Sequence, residues 1–184
     1  MRVVAGTARG RPLVAPAGDD TRPTSDRVRE AVFNALYSLG GLEDAKIVDL
    51  YAGTGAMGIE ALSRGAASAV FVERSPDAVA ALRENLEAAG VEDRADVVTR
   101  DVETFMRSSS EFFDLAIIDP PYAFDAWAEL LPQVSASLVV IESGRDVDPP
   151  SGWETHRVKR YGGTVVTIAS PHRSGPDNAG SSSS

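Results

Sequence analysis

From Lys46 onward the chain alternates short apolar runs with stretches of helical period, and that order is the strongest constraint on its fold. Residues 46–51, 69–73, 96–99, 113–118 and 138–142 read as strands. Between them lie a helix ending near Arg64, one from Pro76 to Gly90 with Val79, Leu82, Leu86 and Ala89 on one stripe, a short helix after Asp101, and a helix over 125–134. Strands that alternate with helices give an α/β fold, a parallel sheet covered on both faces. Residues 154–161 and 164–169, joined by Gly162-Gly163, read as a C-terminal antiparallel hairpin.

Ahead of this core, Val3–Gly6 and Pro12–Pro16 suggest a small β-hairpin around Arg9-Gly10-Arg11. A loop follows, and then a helix from Ser25-Asp26 that places Val28, Val32, Ala35, Leu36 and Leu39 on one face and stops at Gly40-Gly41. The expected organisation is an N-terminal hairpin and helix extension over 1–40, a core over 41–169, and a disordered Ser-, Gly- and Pro-rich tail over 170–184.

Several chemistries are excluded. The chain has no Cys, so disulfides, thiolate metal sites and Cys nucleophiles are out. With two histidines, His156 and His172, a His-rich metal site or a Ser-His-Asp triad is not expected, and no metal is assigned. No apolar run approaches the ~20 residues of a membrane span. Residues 1–6 lack the apolar centre of a signal peptide, so a cytoplasmic location is expected.

The net charge of -9 is unevenly distributed. Residues 1–29 carry +3, residues 30–154 carry -15, and residues 155–184 carry +3. An acidic total therefore does not exclude a phosphate-bearing partner, because the basic charge sits at the two ends.

Gly53, Gly55 and Gly58 form GxGxxG between a strand and a helix, where the backbone can approach a nucleotide-like ligand. Glu73, 20 residues beyond Gly53 at the end of the next strand, is placed to bind ribose hydroxyls. Dinucleotides and S-adenosylmethionine both fit this frame. Asp49, four residues before Gly53, favours the second. Its carboxylate would repel pyrophosphate and attract an ammonium or sulfonium. Asp49 could also order the loop, and both roles can hold together. Asp101 could face an adenine amino group or serve as a helix N-cap.

The second motif is Asp119-Pro120-Pro121-Tyr122, directly after an apolar strand. Asp119 should emerge at the C-terminal edge of the sheet, where open α/β sheets bind ligands. The prolines stiffen the loop. An exocyclic base amine is a poor nucleophile because its lone pair is delocalised into the ring. Hydrogen bonds from it to the Asp119 side chain and the Pro120 carbonyl would favour a more tetrahedral nitrogen. Tyr122 could stack on an extruded base.

With both motifs in place, the chain resembles the class I S-adenosylmethionine-dependent methyltransferases that carry a (D/N)PPY motif. More narrowly, it resembles the RsmD-type guanine-N2 methyltransferases of bacterial 16S rRNA. The stretches that carry the likeness are Val3–Gly6 with Arg9-Gly10-Arg11, Thr21-Arg22-Pro23-Thr24 with Asp26–Glu30 and Phe33-Asn34, the run from Asp49 through Ala66, Asp119–Tyr122, and Tyr161-Gly162. The resemblance implies a Rossmann-like core and methylation of one guanine in the assembled or assembling small ribosomal subunit. It also implies that Asp49, Gly53, Gly55, Glu73 and Asp101 line the cofactor cleft beside Ala52, Arg74 and Val102. Asp119, Pro120 and Tyr122 would hold the base. Arg9, Arg11, Arg22, Thr24 and Arg27 would approach RNA, and the arm would cover the cofactor. A monomer is expected.

Arg2 and Arg29, and the C-terminal Arg157, Lys159 and Arg160, are further candidates for phosphate contact. Trp127 and Trp153 read as packing residues, and Phe124 as a candidate for the base pocket. The residues leave alternatives open. An adenine-N6 methyltransferase of DNA or RNA, or a protein-amide methyltransferase, would share both motifs. A NAD-dependent oxidoreductase would use GxGxxG and Glu73 but leave Asp49 and the DPPY motif unexplained. A non-enzymatic RNA-binding module would need no cofactor cleft.

Overall fold

The structure, a computed structural model, describes residues 1–15 and 25–171. The chain order is α1 (Asp26–Ser38), β1 (Lys46–Leu50), α2 (Ala56–Ser63), β2 (Ser68–Glu73), α3 (Pro76–Ala89), β3 (Ala95–Thr99), α4 (Val102–Ser108), β4 (Phe113–Ile118), α5 (Trp127–Leu130), β5 (Ala136–Ser143), β6 (Trp153–Tyr161) and β7 (Thr164–Pro171). One seven-stranded sheet runs β3-β2-β1-β4-β5-β7-β6. The first five strands of that order pair in parallel, and β7 joins β5 and β6 antiparallel. The chain winds outward from β1 to β3, then returns to place β4 on the other side of β1. The crevice outside β1 and β4 is therefore the topological switch point, where such sheets bind ligands.

Local signals explain the element ends. Ser25 caps α1 by accepting from the Val28 N–H. Ser75 caps α3, Pro76 fills its first turn, and Gly90 closes it in the left-handed region. The helix expected over 125–134 is reduced to α5 and a 3₁₀ turn over Leu131–Gln133. Pro132 lacks the N–H that would bond back into an α-helix. β7 runs to Pro171, two residues past the expected end of the core, because Ser170 and Pro171 pair with Glu154 and Trp153. The remainder of the expected tail lies outside the described residues. Among the described residues no helix is long and apolar enough to cross a membrane.

Two apolar clusters cover the sheet. One joins Ile47, Leu115, Ile117, Val140, Val166 and Ile168 to α1, α2, α3 and the N-terminal arm. The other joins Val48, Leu50, Ala116, Ile118 and Ile141 to α4 and α5. Trp127 is buried in the second cluster and Trp153 packs against it, as expected of packing residues. Among the described residues the arm pairs through one β-bridge, Arg2 to Pro12.

The arm is tied to the core by buried polar side chains. Glu60 on α2 accepts from the Val4 and Ala5 N–H groups at 2.7 and 3.0 Å. Ser63 accepts from the Ala8 N–H and donates to the Ala5 carbonyl. Asn85 on α3 accepts from the Val14 N–H at 2.7 Å and donates to the Val14 and Thr54 carbonyls, each at 3.0 Å. Asn85 thus joins the arm to the glycine loop. Asn85→Ala leaves those backbone groups without their partner, which costs roughly 2 kcal/mol. A fall in Tm of roughly 4–8 °C is expected in a thermal melt.

Candidate active site

β1 and β4 lie side by side, and the Asp119 N–H reaches back toward the Leu50 carbonyl at 3.4 Å. The two sequence motifs are therefore brought to one edge. At the end of β1, Tyr51 adopts φ of 60°, and Gly53 and Gly55 adopt 55° and 76°. The left-handed region costs a non-glycine residue roughly 1–2 kcal/mol. Tyr51 is held there by its hydroxyl donating to Glu103 at 2.8 Å and by its ring lying 5.7 Å from Phe124. Burial first, and then the hydrogen bond to Glu103, push the Tyr51 phenol above its ordinary range.

Asp49 is 2% exposed and accepts from the Gly58 N–H at 2.8 Å. Burial first, and then the nearby Glu73 charge, push its carboxyl up to about 7 against that hydrogen bond. Gly58 is required here. A Cβ would stand 2.3 Å from the Phe71 ring and 3.0 Å from Asp49 Oδ2.

Glu73 closes the glycine loop. One oxygen accepts from the Gly53 N–H at 2.9 Å, and the other accepts from the Arg74 and Ser75 N–H groups. A carboxylate offers about four acceptor positions, so capacity remains on the oxygen that faces Gly53. Asp101 caps α4 through the Thr104 N–H, and Arg74 lies 3.8 Å away. A hydrogen bond with the Glu103 side chain, then Thr104 and the Arg74 charge, hold the Asp101 carboxyl below the usual range. Ala52 bridges strands, its N–H donating to Val72 and its carbonyl accepting from Gly55. The Val102 side chain is buried in the core, so it can offer a ligand only its backbone.

Pro120 is buried and Asp119 half-buried. Tyr122 is 60% exposed, and its hydroxyl shares a hydrogen bond with Thr164 Oγ1 at 3.2 Å. The ring packs against Gly144, where a Cβ would come within 2.7 Å. Phe124 is half-buried, packs against the second cluster and lies edge-on to Trp127 at 4.9 Å.

Arg9 and Arg11 stand exposed on the turn of the arm. Arg2, Arg9 and Arg27, with Asp26 and Glu30, line a hollow of about 350 Å³ between that turn and α1. Arg2 is 3.7 Å from Asp26. Arg29, read as a candidate for phosphate contact, is 0% exposed and donates to the Arg2 carbonyl and Asp26. Its guanidinium fastens α1 to the arm and cannot reach a phosphate. Arg22 and Thr24 lie outside the described residues.

Sequence reasoning missed Glu60, Asn85, Gly6 and Gly144. Glu60 and Asn85 carried a usable signal, because each is a polar residue on the buried side of an apolar helix and must have partners. Gly144 carried none beyond its place after a strand.

The doubly wound sheet brings both motifs to its switch point. The chain belongs to the family described as Conserved hypothetical protein 95, whose model matches residues 1–170. Ribosomal RNA small subunit methyltransferase D of Escherichia coli is 31% identical over 189 residues, covering 97% of this chain and 94% of that one. The solved structure of Escherichia coli YhhF matches with a TM-score of 0.82 at 31% identity, covering 94% of this chain and 98% of that one. SMU.776, solved with S-adenosylhomocysteine, shares the fold at 16% identity with a TM-score of 0.66, covering 79% of this chain and 48% of that one.

Proposed function

We propose that the protein transfers a methyl group from S-adenosylmethionine to the exocyclic N2 of a guanine in 16S rRNA of the small ribosomal subunit. It would act in the cytoplasm as a monomer. The observation that carries this reading is the placement of Asp119 beside the glycine loop at one switch point. A base amine held by Asp119 would meet a ligand held by that loop.

The residues of the crevice fit the cofactor. Asp49, Glu73 and Asp101 suit a cation with hydroxyl groups and oppose a pyrophosphate. When bound, S-adenosylmethionine supplies a methyl group on a sulfonium, with a neutral thioether as leaving group. Asp119 accepts from the base amine and takes the proton that it sheds, while the Pro120 carbonyl accepts the second N–H. The exposed Tyr122 ring offers a stacking surface, and its hydroxyl bond to Thr164 fixes the ring's position. Positioning of this kind is the main contribution needed when the leaving group is already good. Arg9, Arg11, Arg22, Thr24 and Arg27 would hold the RNA.

A thermal shift caused by S-adenosylhomocysteine and not by NAD tests the cofactor. Labelled donor offered to small subunits, naked rRNA, DNA and protein tests the substrate. Label in subunits or rRNA supports the reading. Label in DNA or protein alone, or a shift with NAD alone, contradicts it.

Asp49 adds a pH dependence. Its carboxyl holds a proton up to about 7 in the fold, against 3.8 ordinarily. Its contribution to stability is complete below about 3.8 and is lost as pH rises through 7. A bound cation favours the ionised form, so binding below that pH must release the proton. Cofactor affinity is expected to rise with pH up to about 7 and then level off. Calorimetry in buffers of different ionisation enthalpy measures it, and Asp49→Asn is expected to abolish the dependence.

A further inference from the structure

We infer that one face of β6 is a second contact for the RNA backbone, continuous with the catalytic edge. This inference rests on the reading that RNA is the substrate. β6 is the last strand of the sheet, and residues 154–160 are exposed throughout. A bulge between Thr155 and Arg157 resets the alternation of side chains. Beyond it Arg157, Lys159 and Tyr161 pair with Ile168, Val166 and Thr164. Directly opposed residues of an antiparallel pair share a face. Val166 and Ile168 belong to the cluster that includes α1 and the arm, and Tyr161 packs against it. Arg157 and Lys159 therefore project from the same side of the sheet as the elements that carry Arg9, Arg11 and Arg27.

Arg160 is on the other face, where Asp146 neutralises it at 2.9 Å. Glu154, the one acid of the strand, lies before the bulge, 3.8 Å from His156. On the α1 side of β6 beyond the bulge, the charged residues are Arg157 and Lys159. They lead to the active site, because Lys159 sits 5.2 Å from the centre of the Tyr161 ring, and Tyr161 pairs with Thr164, the partner of the Tyr122 hydroxyl. Arg157 and Lys159 thus share one side of the sheet with the arm and α1, and the strand that carries them ends beside the Tyr122 loop. Complementary charge on a run that ends at the site fits a polyphosphate backbone. A folded protein partner would also be expected to use apolar anchors, and the exposed Val158 is on the opposite face.

The test is the double variant Arg157→Ala/Lys159→Ala, compared with Arg160→Ala. Binding of the full chain to small subunits and to naked rRNA is measured across a salt series, together with S-adenosylhomocysteine binding and kcat. The double variant is expected to raise Kd or KM for RNA about tenfold and to reduce the salt slope by about one to two. Cofactor affinity and kcat at saturating RNA should be unchanged, and Arg160→Ala should behave as wild type. An unchanged Kd and slope, an equal loss with Arg160→Ala, or increased self-association as the only effect would overturn the inference. A wild-type protein that methylates no RNA would overturn the reading beneath it instead.

Discussion

Asp119→Ala is expected to lower methyl transfer about 10³-fold while S-adenosylhomocysteine binds as to wild type. β4 positions the carboxylate. Leu115 and Ile117 face one cluster, Ala116 and Ile118 the other, and the chain then leaves the sheet at Asp119. Pro120 is buried and Pro121 restricts the next turn, so the carboxylate has little freedom once the strand is set. The side chains of Glu73, Asp49 and Asn85, none of them on β4, bond to the Gly53 N–H, the Gly58 N–H and the Thr54 carbonyl of the glycine loop. Those partners remain in place when the Asp119 side chain is removed. Asp119→Asn keeps an acceptor and is expected to retain part of the activity. Loss of cofactor binding in the alanine variant would place the motif in the wrong pocket.

Gly6→Ala is expected to displace the arm from α2 and to lower stability by about 3–4 kcal/mol. Gly6 has φ of 82°, and a Cβ there would stand 1.8 Å from the Ser63 carbonyl oxygen. That atom is backbone within a buried helix and already accepts from the Thr7 N–H at 2.8 Å, so it cannot yield. The bonds made by Glu60 to Val4 and Ala5 would be strained at the same point. RNA methylation should collapse with the arm, while cofactor affinity should fall only a few-fold. Gly10→Ala is the control. It shares a positive φ of 84° but meets nothing within 4 Å, so about 1 kcal/mol is expected. Equal losses in a paired thermal melt would remove the steric argument.

Much of this was legible from the residues alone. β4 begins and ends where its apolar run does, and α3 lies between Ser75-Pro76 and Gly90, because those boundaries are set by local chemistry. The two motifs and their strands pointed to one sheet edge, since the C-terminal ends of parallel strands share it. Tertiary burial was less accessible. Arg29 reads as one more surface arginine, yet the arm folds over it and buries it completely. Glu60 and Asn85 sit in apolar helices whose periodicity says where they point, but their backbone partners lie 56 and 71 residues away. Pro132 should have shortened the helix before β5, and the apolar spacing of Trp127, Leu130, Leu131 and Val134 masked it.

The central claim is transfer to the N2 of guanine, and nucleoside analysis of labelled small subunits tests it most directly. Subunits from cells lacking the gene would be incubated with the protein and labelled S-adenosylmethionine, digested, and separated by chromatography. N2-methylguanosine at a single position is the expected result. Label in N6-methyladenosine, or no label in the RNA at all, would contradict it.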